Sequence, residues 1–91
     1  MFVKTQEGTI VNMDNVAFAN VVKYINRDKG ELTLYLDGMT FQAYVGTIEE
    51  AEGAFHTLEE GLIHGASFID YSSEEVIKWK YMLNLTKQPM L

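Results

Sequence analysis

Cysteine is absent from the 91 residues, which excludes disulfides, a thiolate nucleophile and a cysteine-rich zinc site, and makes a reducing cytoplasm the expected compartment. No apolar run approaches the ~20 residues of a membrane span, and the opening MFVKTQEG lacks the apolar stretch of a signal peptide, so a soluble protein without a membrane partner is expected. Positive charge is scarce. Seven Lys and Arg stand against thirteen Asp and Glu, for a net charge of −6, and Arg27 is the only arginine. From Glu31 to Glu75 there are ten acidic residues and no Lys or Arg. Binding a phosphate backbone needs clustered cations, so direct nucleic-acid binding is not expected. Such an acidic block suits a basic partner or serves solubility. The chain carries no G-x-S-x-G, P-loop, G-x-G-x-x-G or H-E-x-x-H pattern, and no bound cofactor is expected.

What is present is a core. Hydrophobic residues make up 47% of the chain and aromatics 12%, enough for one domain over residues 1–91, with Thr86 to Leu91, which includes the sole proline, Pro89, expected to fray. FVKT and TIVN around Gln6-Glu7-Gly8 predict an N-terminal hairpin, with Gly8 at a bulge position. VAFANVVKYI alternates as a long, kinked strand, and Asn26 to Gly30 reads as a polar loop tip. LTLYL, Asp37-Gly38 and MTFQAYV form the sharpest local signal, because Asp-Gly between alternating runs is the signature of a two-residue type I′ hairpin turn. The register it fixes pairs Leu36 with Met39, Leu34 with Phe41 and Leu32 with Ala43 on an apolar face, leaving Tyr35, Thr40, Gln42 and Tyr44 on the other.

Thr47 to Gly65 predicts one long helix, at about residues 48–64. Thr47 and Glu50 have capping-box spacing, Glu49 and Glu50 suit the positive end of the helix dipole, and Gly65 suits the C-terminal cap. Ile48, Ala51, Phe55, Leu58 and Leu62 recur at spacings of 3 and 4, an apolar stripe that needs a floor, which the hairpin's apolar face supplies. Beyond the helix ASFIDY reads as extended. Residues 74–85 carry both a capping-box pattern at Ser72-Ser73-Glu74-Glu75 and strict alternation through Trp79 and Tyr81, so strand and short helix both stay open, with strand preferred. The expected fold is α+β: an antiparallel meander of four or five strands, the helix on one face and a C-terminal strand or short helix. From Thr9 to Phe55 this order of elements is similar in layout to small flagellar FlbD-type proteins, and the resemblance implies layout alone.

Two ladders at i, i+4 spacing mark the rest of the helix. Glu52, His56, Glu60 and His64 offer oxygen and imidazole donors, with Glu52 and His56 the first candidates for a metal, but successive i+4 positions drift by about 40°, so four cannot meet at one ion. Gly53, Thr57, Gly61 and Gly65 form a small-residue groove in which either the C-terminal segment or the same helix of a second copy could lie closely. Interleaved Trp79, Lys80 and Tyr81 resemble a single-strand nucleic-acid platform but are better explained as core aromatics. The functional expectation is a non-catalytic binding or regulatory protein acting through protein contacts as a homodimer, with Gly53, Thr57, Gly61, Gly65, Glu59, Glu60, Tyr35 and Tyr44 as candidate partner-binding residues. An acidic mimic of nucleic acid that inhibits a nuclease-like partner is the alternative, and a metal protein or small enzyme using the helix Glu and His residues is the third.

Overall fold

The computed structural model describes residues 1–73. The expectations for 74–91, a strand or helix followed by a frayed tail, and the placement of Trp79 or Tyr81 on the helix, lie outside the described residues. Within 1–73 the regular elements follow in order: β1 (Phe2–Lys4), β2 (Ile10–Asn12), a 3-10 turn (Met13–Asn15), β3 (Val16–Tyr24), a second 3-10 turn (Ile25–Arg27), β4 (Lys29–Leu36), β5 (Met39–Gly46), α1 (Ile48–His64) and β6 (Phe68–Asp70). The class is α+β, with an antiparallel meander packed against one helix and a strand after it. Among the described residues no helix is long and apolar enough to cross a membrane.

The meander holds three strands in the order β3-β4-β5. The N-terminal hairpin stays outside it and builds a second small sheet, β2-β1-β6, in which β6 runs parallel to β1. Gly8 turns that hairpin at φ +100°, and Thr5 closes it by hydrogen bonding through both its amide and its hydroxyl to Thr9. Gln6 joins the two sheets. Its amide donates to the Ala43 carbonyl, and its side-chain oxygen accepts from the Val45 amide.

At the Asp37-Gly38 turn Leu36 pairs with Met39, Tyr35 with Thr40, Leu34 with Phe41 and Thr33 with Gln42, the expected register. The turn is not type I′, because Gly38 is at φ +73° while Asp37 does not take the positive φ that type requires at both positions. The next expected pair, Leu32 with Ala43, is corrected: the register shifts and Leu32 faces Tyr44. Ala43 is the extra residue of a β-bulge, and its carbonyl is one of the groups bonded to Gln6. The bulge moves Tyr44 from the open face to the helix side, where it is 7% exposed and packs 6.3 Å, centroid to centroid, from Tyr71. The loop tip expected over Asn26 to Gly30 is also shorter than the sequence suggests. Lys29 and Gly30 already belong to β4, and Asp28, at φ +48°, accepts a hydrogen bond from the Ile48 amide at 3.4 Å. Gly30 is buried beneath the first helical turn, where an added Cβ would lie 2.7 Å from Ala51 Cβ and 3.0 Å from Ile48 Cα.

The helix starts and stops as its residues dictate. Thr47 Oγ1 accepts from the Glu50 amide, Glu50 Oε1 accepts from the Thr47 amide, and Gly65 closes the last turn in the left-handed conformation. Its buried residues are Ala51, Ala54 and Leu58, so the buried stripe is rotated from the expected one, and Leu62 is 56% exposed. The second sheet explains the rotation. Tyr71, just after β6, donates its hydroxyl to the Ala54 carbonyl at 2.6 Å, and Ile69 of β6 and Met1 stand beside Gly61. Two sheets thus share one core with the helix: Leu32, Leu34 and Ala43 from the meander, Val3, Val11 and Ile69 from the small sheet.

Candidate functional site

Among the described residues the four positions of the small-residue ladder have different surroundings. Gly61 is occupied from within the chain, since a Cβ there would meet Ile69 Cδ1 at 2.7 Å. Gly65 is the helix cap, at φ +71°, and Thr57 turns its hydroxyl back onto the Gly53 carbonyl at 3.0 Å. Gly53 faces open space, and a Cβ added there would have no described neighbour within 4 Å. At Gly61 the described neighbours are Ile69 of β6, Ala66 and Met1.

The acid–histidine ladder is likewise divided. Glu52 reaches across to Lys23 of β3 at 2.8 Å, both side chains being half-exposed. Glu60 stands between the two histidines, 3.4 Å from His56 Nε2 and 3.1 Å from His64 Nε2, while His56 Nδ1 lies 3.5 Å from Glu59. The first metal candidates, Glu52 and His56, are directed to different partners. Among the described residues no group of three or more His, Asp or Glu side chains is arranged to hold a metal ion.

Alternation along β4 and β5 would place both Tyr35 and Tyr44 on the open sheet face. Tyr35 is there, stacked on Phe18 of β3 with centroids 4.3 Å apart and planes 15° from parallel. Tyr44 is not, because of the bulge at Ala43. Burial, and secondarily the Glu50 carboxylate, push its hydroxyl above the usual tyrosine range. Burial does the same to Tyr71. Asp70, half-buried at the end of β6, is held below the usual carboxylate range, chiefly by the hydrogen bond from the Ser72 hydroxyl. At the centre of the open face, Thr33 is 4% exposed and its hydroxyl finds no hydrogen-bond partner among the described residues.

The feature that sequence reasoning missed is an apolar groove of about 320 Å³ between the start of β3 and the C-terminal half of α1. Met13, Val16, Phe18, Phe55 and Leu62 line it, with Glu59 as its one charged wall residue. It arises from two local departures. The bulge between Val16 and Phe18 sets Val16 opposite Leu36 but Phe18 opposite Tyr35, so the strand changes phase at Ala17, and the rotated helix stripe leaves Leu62 at the rim. The interruption of alternation is readable around Ala17 to Asn20, whereas the rotation of the helix depends on β6. Phe18 and Leu62, both in its lining, are exposed.

Comparison of the chain with protein-family models, curated proteins and solved structures finds no match.

Proposed function

We propose that this protein is a non-catalytic binding or regulatory module that acts through protein–protein contacts and works as a homodimer. The observation that carries this reading is the apolar flank formed by β3 and the C-terminal half of α1, a concave surface rimmed by Phe18 and Leu62, which are 58% and 56% exposed. Contiguous apolar surface of this kind is costly in water and marks contact sites. The candidate partner residues divide accordingly. Glu59 lines the flank, Tyr35 lies on the open sheet face stacked on Phe18, and Gly61 and Tyr44 serve the core. Gly53, Thr57, Glu60 and Gly65 remain on the helix surface outside it.

Light scattering over a concentration series tests the reading. Because dimerisation follows mass action, the weight-average mass should rise toward twice the 10.4 kDa chain mass between about 5 and about 200 µM. A mass equal to one chain throughout would refute the homodimer.

A further inference from the structure

Strand β3 forms the edge of the meander, with β4 along one side and no described strand along the other. An edge of this length offers a row of backbone donors and acceptors, and edges are usually blunted by proline, by charge or by shortness. β3 has nine residues, no proline, and Lys23 as its only charge. Its single irregularity, at Ala17, comes at its start, so Phe18 to Tyr24 is a regular ladder.

We propose that a second copy of this chain pairs with β3 in antiparallel fashion about a two-fold axis through Val21, joining two meanders into one six-stranded sheet. This rests on the homodimer reading and specifies its geometry. In a symmetric antiparallel pair, one residue lies opposite itself and its neighbours pair in mirror order. Centred on Val21, Phe18 meets the partner's Tyr24 twice on the open face, extending the Phe18–Tyr35 stack across the junction. On the helix side Val21 meets its own copy and Ala19 meets the partner's Lys23. Ala19 lines the same groove as Glu59, so the register brings the partner's Lys23, which its own Glu52 already holds at 2.8 Å, beside the carboxylate of the described groove lining. Asn20 opposite the partner's Val22 is the one mixed pair. A register centred on Asn20 fails, because it sets Tyr24 against the partner's Val16, and the bulge has turned Val16 to the helix side.

Cysteine substitution tests the pairing directly, since the chain has no thiol of its own. Residues directly opposite in an antiparallel ladder have Cα atoms about 4.5–5.5 Å apart, within disulfide range. Mild oxidation of Val21→Cys at about 50 µM should convert most of the protein to a reducible dimer, while Thr40→Cys, exposed on β5 at the opposite edge, should stay largely uncrosslinked. A dimer by light scattering that crosslinks no better at Val21 than at Thr40 overturns this interface and leaves the homodimer standing; a monomer at every concentration overturns both. Lys23→Glu provides a readout without a core substitution. Because it also removes the pair with Glu52 within the chain, its readout is the rescue: dimerisation should weaken about tenfold or more and recover when Glu59→Lys is added but not when Glu52→Lys is added. An unchanged dimerisation constant in Lys23→Glu contradicts the register.

Discussion

Three glycines at different depths make a quantitative test of the packing. At Gly30 a methyl group would meet Ala51 Cβ at 2.7 Å and the backbone of Ile48 at 3.0 Å, where about 3.5–4.0 Å is the comfortable separation of carbon atoms. Neither neighbour yields easily, because one is on the helix's buried stripe and the other is main chain in its capped first turn. Gly30→Ala must therefore lift the helix from β4, an overpacking cost of about 2 kcal/mol, or on the order of 10 °C in Tm for a domain of this size. Gly53 is the opposite case. Its methyl position is open, and alanine in a helix interior is better than glycine by about 1 kcal/mol, so Gly53→Ala should raise Tm by about 4–8 °C. Gly61→Ala lies between them. The clash at 2.7 Å is with the terminal methyl of Ile69, which can rotate, and the gain in helix propensity offsets its displacement to within about 1 kcal/mol. Thermal and urea unfolding followed by far-ultraviolet circular dichroism measure all three. A neutral Gly30→Ala, or a Gly53→Ala as damaging as Gly30→Ala, would refute the placement of the helix on the meander.

Other substitutions probe separate terms. Thr33→Val removes a buried hydroxyl without a described partner while keeping its shape, so urea unfolding should show a gain of about 1 kcal/mol; a loss would mean that the hydroxyl is bonded. Thr47→Ala removes half of the capping box and should cost about 1 kcal/mol in the same assay. Tyr44 and Tyr71 hold their protons more tightly in the folded chain than in the unfolded one, where tyrosine titrates near 10. Above that pH the unfolded state binds fewer protons than the folded state. The stabilisation is thus fully present below about pH 10 and is lost as pH rises beyond it, so Tm should fall on the alkaline side, and fall less in Tyr71→Phe. Zinc should leave Tm unchanged, because Glu52 is paired with Lys23 and Glu60 is shared by two histidines; a clear rise would restore the metal reading.

Local chemistry is the legible part of this sequence. The register at Asp37-Gly38, the Thr47 and Glu50 box, Gly8 and the Gly65 cap each depend on a few adjacent residues, and each forms as its residue types require, with Gly38 rather than Asp37 taking the positive φ of the turn. What escapes depends on contacts between segments distant in the chain. Nothing near Ala43 announces a bulge, because the groups that stabilise it belong to Gln6, and the bulge in turn decides that Tyr44 is a core residue. Periodicity defines an apolar stripe on α1 only on the assumption of one floor. Two floors, the meander and the strand bearing Ile69, rotate the buried face toward Ala54 and release Leu62. The glycine ladder is visible as a pattern, but its members serve three purposes: contact with Ile69, a helix cap and an open surface position. The groove is least legible, since it needs the bulge at Ala17 and the rotated helix together.

Residue-resolved amide hydrogen exchange, compared between dilute protein at about 5 µM and concentrated protein at about 200 µM, tests the contact surface most directly. Pairing of β3 with a second copy predicts that amides within Phe18 to Tyr24 exchange more slowly in the concentrated sample, while Gly53 and its neighbours on the outer helix do not change. Concentration-independent exchange throughout β3, or protection that appears instead along Gly53 to Glu60, would contradict it.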